Sequence, residues 1–362
     1  MTATDAEQAP TDGITQEELQ LAARNHGMPL EGLRYDVTPV GLHYLLIHFD
    51  IPPADETTWT VEVGGLVERP LSLTMPALRA RPAVATPVTM ECAGNGRARL
   101  HPRPFSQPWL VEAVGTAEWT GTPLAPILRE AGLAPEAVEL VFEGADHGVQ
   151  GGIEQDYERS LPVAEAMRED VLLAYEVDGV PLPPQHGFPI RLLVPGWYGM
   201  TSVKWLRKIT AVAEPFTGFQ QWAYAIRDDE DEPGTPVTRI EPRALMVPPG
   251  FPEFFSRARV LEAGPCTLEG RAWSGRAAIE RVEVSADGGD TWADATLAPL
   301  PAPYAWRAWH HVWDAAPGEH ELVVRATDGT GETQPLVQSW NHHGLANNMV
   351  QRVPVTVRAP AH

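Results

Sequence analysis

Residues 88–97 read VTMECAGNGR. An apolar run ends in a cysteine, and small residues, two glycines and an arginine follow at once. Glycine tolerates positive φ, so such a loop turns tightly and lets backbone amides approach a ligand. Arg97 is placed to point back toward the Cys92 thiol, where a cation favours thiolate. Thiolate is the form that binds soft metals or attacks electrophiles. The plain alternative is an inert cysteine buried at a strand end. The chain has one other cysteine, Cys266 in GPCTLEG, whose strand position reads as core. No C-x-x-C or H-x-x-x-H spacing supports zinc around Cys92. A Cys–His nucleophile pair stays open, because twelve histidines are available.

The whole chain sets the frame for that loop. Its 362 residues are enough to bury a large core and suggest two domains or three. With 21% charged and 43% hydrophobic residues, the composition is that of a globular protein. The 31 glycines and 36 prolines predict many turns between short strands. A formal charge of −21, with only 27 Lys and Arg, argues against nucleic acid. It also repels anions at long range, so an anionic substrate needs local arginines. No run approaches the length of a membrane span. The N-terminal MTATDAEQAPTDGITQEELQ is acidic and lacks the features of an export signal. Together with the scarcity of cysteine, this gives a cytoplasmic protein as the expectation.

Outward from the loop, residues 1–30 read as a polar lead-in with one helix, TQEELQLAARN, whose Thr15 and Glu18 have capping-box spacing. From LHYLLIHFDIP onward the expectation is short β-rich runs: TWTVEVGGLV, AVATPVTMEC and AVELVFEGAD. Brief helices, TPLAPILREAG and LPVAEAMRED, fall between them. FPIRLLVPG and SVKWLRKITAVA add two strands. The acidic RDDEDEPGTP reads as an exposed crossover. Beyond it the texture is uniformly β, with VEVSADGGDTW as a hairpin, and predicts an immunoglobulin-like β-sandwich. The fold class is therefore α+β followed by a sandwich, divided as residues 1–30, 31–232 and 233–362.

The segment ECAGNGR resembles the molybdenum-ligating loop of the sulfite oxidase family. LHYLLIHFDIPP, the long block DVLLAYEVDGVPLPPQHGFPIRLLVPGWYGMTSVKWL, RDDEDEPG with ALMVPPG, and WNHHGLANNMVQRVPV resemble further family segments in the same order, over roughly residues 28–358. The resemblance implies a molybdenum-pterin domain and a second, dimerising domain. It assigns Cys92 as metal ligand. It implies that Tyr44, His48, Asp146, His186, Arg191, Ser202, Val203 and Lys204 contact the molybdopterin, with His186, Arg191 and Lys204 on the phosphate. On the substrate side it implies Arg97, Trp109, His343 and Tyr224.

This sequence departs from the family pattern there. Leu46 stands where animal and plant members have arginine, His343 stands for a C-terminal arginine, and Arg103 only loosely replaces a lysine. Three readings follow. The first is a sulfite-oxidising enzyme. The second is a reductase of a sulfoxide or nitrate, and the third a non-catalytic molybdopterin-binding module. No haem-attachment or iron–sulfur pattern is present, so the expected electron acceptor is external, a cytochrome or oxygen. The expected partners are a small oxyanion or S-oxide and a second copy of the chain, without nucleic acid or membrane. The pairs His310/His311 and His342/His343 are expected on opposite strand faces and so not as metal chelates.

Overall fold

The computed structural model describes residues 13–359; the first twelve residues of the polar lead-in lie outside them. Strands dominate and the helices are short, as the glycine and proline content predicts. No helix among the described residues is long and apolar enough to cross a membrane.

Two sheets build the first half. In one, Leu71–Thr74, Thr60–Gly65, Leu206–Val212, Glu139–Gln150 and Ile153–Pro162 lie in that order. Thr60–Gly65 and Leu206–Val212 run parallel and the other pairs antiparallel. In the other, Val84–Glu91 is the edge strand beside Val114–Pro123, and Leu172–Val177 follows. Edge position explains how the first of these strands carries Pro87, because proline donates nothing to a ladder and is tolerated on an open edge. The same edge is closed further along, where Thr89 N donates to Tyr304 O at 2.8 Å. The last four residues of that strand, Val88 to Glu91, are all buried, so the chain reaches Cys92 already inside the molecule.

The second half is a two-sheet sandwich. Arg243–Met246, Gly264–Trp273, Arg307–Ala315 and Thr296–Leu297 form one sheet. The other is centred on Arg259–Glu262, Gln351–Arg358, Gly318–Asp328 and Ile279–Ser285. Gln351–Arg358 buries alternate residues, with Val353, Val355 and Val357 inward among Leu322, Val324 and Trp309. That is the period of two expected of a half-buried strand. The glycine-turn hairpin is present, with Val284 opposite Ala293.

Four expectations need correction. LHYLLIHFDIP forms no strand. After the 3-10 turn Val40–Leu42 it runs as coil, with a single bridge from Leu45 to His26, because its side chains line cavities rather than a sheet face. LPVAEAMRED gives one helical turn, Val163–Ala166. Cys266 is half-buried against the sandwich core, not fully enclosed. His342 and His343 sit on no strand; their rings meet at 4.7 Å within a turn.

The two halves join through buried polar groups. Glu91 and Arg243 are each 1% exposed, with Arg243 Nε 2.7 Å from Glu91 Oε1. Trp273 Nε1 donates to Glu91 Oε2 at 2.7 Å. Trp306 Nε1 donates to Asp36 O.

Candidate active site

The loop after Glu91 is held by its own asparagine. Asn95 Nδ2 donates to Glu91 Oε1 and to Val111 O, and Asn95 Oδ1 accepts from Ala113 N. Gly96 adopts φ +89°, which a side chain would strain. A Cβ on Gly94 would stand 2.7 Å from Arg97 Cζ. The glycine therefore makes room for the guanidinium to fold back over the loop, the arrangement the sequence suggests. Arg97 is buried; its Nε donates to His343 O at 2.7 Å and its Nη1 to Gln107 O at 3.3 Å. Neither acceptor is a carboxylate, so its positive charge has no counter-ion in contact among the described residues.

Cys92 lies where two cavities meet, and Leu46, His48 and Tyr224 line both with it. Burial pushes the Cys92 thiol up; the Arg97 charge, the Gly94 amide and the Trp109 indole pull the other way. Burial without a metal thus favours the thiol, whereas a bound soft cation favours the thiolate.

The inner cavity is lined by Tyr44, Asp146, His186, Arg191, Ser202, Val203 and Lys204. Its polar groups come from strands, a 3-10 turn and the coil between them. Arg191 opens the strand Arg191–Leu193, with Nη1 donating to His186 O and Nη2 to Ser202 O. Lys204 Nζ donates to Leu46 O and Gln185 O. These cations also end on carbonyls. Burial, aided by Arg191, holds the Lys204 ammonium down at about 7. Burial, aided by His43 and Arg191, holds His186 down to about 2. Asp146 is driven up to about 6 by burial, and its Oδ1 is buried without a hydrogen-bond partner among the described residues. Cations that end on carbonyls, offset only by the Asp146 carboxyl, and an orphaned polar oxygen in one cavity are the features of a site shaped for an anionic, hydrogen-bonding ligand. Molybdopterin, with a phosphate and a polar ring system, fits that donor set, and the Cys92 sulfur at the junction fits a soft metal.

The outer cavity, about 420 Å³, is lined by Arg97, Trp109 and His343, with Phe105, Val149 and Trp222 toward solvent. No carboxylate among the described residues lines it. Burial holds His343 down to about 4, and its Nε2 is without a partner among the described residues. Burial also brings His48 to about 4, its Nε2 lying 2.7 Å from Gln150 Oε1. Tyr224 caps the short helix Phe219–Ala223, and its phenol is pushed up to about 12 by burial and by Cys92.

Every site residue that the family resemblance implies therefore lines one cavity or the other, whereas Arg103 lines neither. That side chain is committed to Glu18 and Gly13 O, so it offers no charge to the site. Sequence reasoning missed His43, Tyr157 and Arg24. His43 packs against His186 at 5.6 Å in the inner cavity. Its LHYLLIH context was the available signal, read as a strand instead. Arg24 ends the helix Gln16–Arg24 at the outer rim, and nothing local in the sequence links it to the site.

Comparison with known proteins agrees with this geometry. Residues 48–220 match the oxidoreductase molybdopterin binding domain, and residues 252–358 the Mo-co oxidoreductase dimerisation domain. The chain is 35% identical over 357 residues to NAD(P)H nitrate reductase of Hordeum vulgare, covering 90% of this chain and 40% of that protein. It is 33% identical over 362 residues to NADH nitrate reductase 1 of Oryza sativa subsp. japonica, covering 90% and 38%. The chain thus spans about 40% of the length of these curated relatives. The crystal structure of the sulfane dehydrogenase SoxCD from Paracoccus pantotrophus superposes with a TM-score of 0.79 at 26% identity, covering 99% of this chain and 95% of that one.

Proposed function

This chain belongs to the molybdenum oxidoreductases built from a molybdopterin-binding and a dimerisation domain, and on that premise we propose that it oxidises small sulfur oxyanions, sulfite being the simplest, by oxygen-atom transfer. The observation that carries this reading is Arg97, a buried guanidinium beside Cys92 that among the described residues has no counter-ion in contact and no carboxylate in its cavity.

Bound molybdenum–pterin supplies the two-electron exchange of oxygen with water. Cys92 is the residue that would hold the metal, and Arg191, Lys204 and His186 those that would hold the phosphate. The rest falls to the side chains of the outer cavity. Arg97 receives the negative charge of the substrate, where a fork of N–H donors in a low-dielectric site is worth more than in water. Its reach is fixed by Gly94 and by the His343 and Gln107 carbonyls, so little reorganisation is needed when substrate enters. His343 and His48, neutral at pH 7, accept or donate hydrogen bonds without adding charge. Trp109 walls the site and excludes water.

Similarity to a sulfane dehydrogenase across nearly the whole of both chains favours sulfur chemistry. A second reading, reduction of nitrate by the reverse transfer, is favoured by the plant relatives and by a pocket with one buried cation, which suits a monoanion. On either reading the electrons pass to or from a redox group beyond the molybdenum site, and the dimerisation domain supports a homodimer as the working assembly. Steady-state assay of molybdenum-loaded protein with sulfite and ferricyanide, against nitrate or a sulfoxide with reduced viologen, separates the readings. Sulfite oxidation is expected; turnover only in the reducing direction overturns the proposal.

A further inference from the structure

Three features of the outer cavity do not suit sulfite itself. Among the described residues its one buried cation is Arg97; Leu46 occupies a lining position with an apolar side chain, and Arg24 is exposed at the rim. A compact dianion removed from water needs more compensation than one guanidinium gives. The cavity is also large, about 420 Å³, many times the space a water molecule takes up. And its outer wall is apolar: Phe105, Val149 and Trp222 are 56%, 66% and 38% exposed. Large apolar side chains left open at a cavity mouth are unfavourable in an empty site and become favourable when an apolar body covers them.

We propose that this cavity selects organic sulfinates, R–SO2⁻, and that the chain oxidises them to sulfonates in preference to sulfite. This rests on the sulfur-oxyanion reading above and deepens it. A sulfinate is sulfite with one oxygen replaced by carbon. It keeps the lone pair on sulfur that accepts an oxygen atom, carries one negative charge instead of two, and brings an apolar group. The single charge matches Arg97, and the R group extends from Cys92 past Trp109 toward Phe105 and Trp222. The reaction balances as R–SO2⁻ + H2O giving R–SO3⁻, two protons and two electrons. A sulfur–oxygen bond forms, sulfur is oxidised by two electrons, and those two electrons leave to the same acceptor that the sulfite reaction uses, ferricyanide in the assay below.

The test uses molybdenum-loaded protein with ferricyanide as acceptor and benzenesulfinate, methanesulfinate and sulfite as substrates. Binding of benzenesulfonate and of sulfate is measured by calorimetry as a readout independent of turnover. The expected order of kcat/KM is benzenesulfinate, then methanesulfinate, then sulfite, with about tenfold or more between first and last, and benzenesulfonate is expected to bind about tenfold more tightly than sulfate. Phe105→Ala should reduce the benzenesulfinate-to-sulfite ratio by about threefold or more; with Phe105 over half exposed, the truncation leaves the core intact. Sulfite preferred over both sulfinates, or sulfate bound as tightly as benzenesulfonate, overturns the inference and leaves the sulfite reading standing. Failure to oxidise either sulfite or sulfinates, with nitrate or sulfoxide reduced instead, overturns both.

Discussion

Cys92 and Arg97 stand five residues apart and divide the work of one loop. The sulfur faces the junction of two cavities, beside His48 and Tyr224. Cys92→Ser should lower molybdenum content and turnover by about a hundredfold, because a hydroxyl is a poor ligand for a soft metal, while the thermal midpoint of the metal-free protein moves little. Metal analysis beside differential scanning calorimetry checks both halves. Arg97→Gln removes a charge but keeps a hydrogen-bonding side chain. It is expected to raise the KM for an anionic substrate by about ten- to a hundredfold, and that for a neutral sulfoxide much less. Equal effects on the two would make Arg97 a packing residue of the loop.

At the scale of elements, the helix Gln16–Arg24 forms one wall of the outer cavity through Leu21 and Arg24. Its N-terminal capping box is complete, Thr15 Oγ1 accepting from Glu18 N and Glu18 Oε2 accepting from Thr15 N. Glu18 is wholly buried and paired with Arg103. Burial pushes its carboxyl up, but Arg103 and the Thr15 amide outweigh this and leave it below the usual glutamate range. A carboxyl lowered by folding contributes stability that is present above its unfolded value and is lost as pH falls through the folded one. Glu18→Gln should therefore destabilise the protein by about 3 kcal/mol near neutrality, since Arg103 loses its partner. The difference from wild type should shrink in acid below the ordinary glutamate range. Urea unfolding at pH 7 and at about pH 3, below the ordinary glutamate range, measures it; a pH-independent difference would count against the ion pair.

Over the whole molecule, the two halves share their polar contacts. Glu91 reaches Arg243 and Trp273 from the strand that delivers Cys92, and Asn347 Nδ2 donates to Gly96 O at 2.7 Å. The C-terminal loop that carries His343 thus completes the site formed by the first half. Arg243→Met leaves the Glu91 carboxylate buried without its cation and should cost about 3–5 kcal/mol. The same variant combined with Glu91→Gln should recover part of that loss. A double-mutant cycle read by chemical unfolding tests the coupling, and additive effects would show that the pair does not hold the halves together.

Much of this was legible from residues alone. The alternation in QRVPVTVRA, the Thr15–Glu18 spacing and the turn glycines of ECAGNGR report local geometry, which depends on neighbours a few positions away. ECAGNGR and its companion blocks also pointed to the molybdopterin family and to residues that all prove to line a cavity. What the sequence did not contain is which faces meet. LHYLLIH has the composition of a strand, yet runs as coil because its side chains line two cavities formed by distant segments. Arg103 looked available to the site until the fold placed it beside Glu18, 85 residues earlier. Arg24 could be found only in three dimensions, and His43 only by reading LHYLLIH as cavity lining instead of strand. Local pattern is set by dihedral preferences and hydrophobic period, while charge pairing and cavity shape are set by long-range packing, and the second decided which cations remain free to meet an anion.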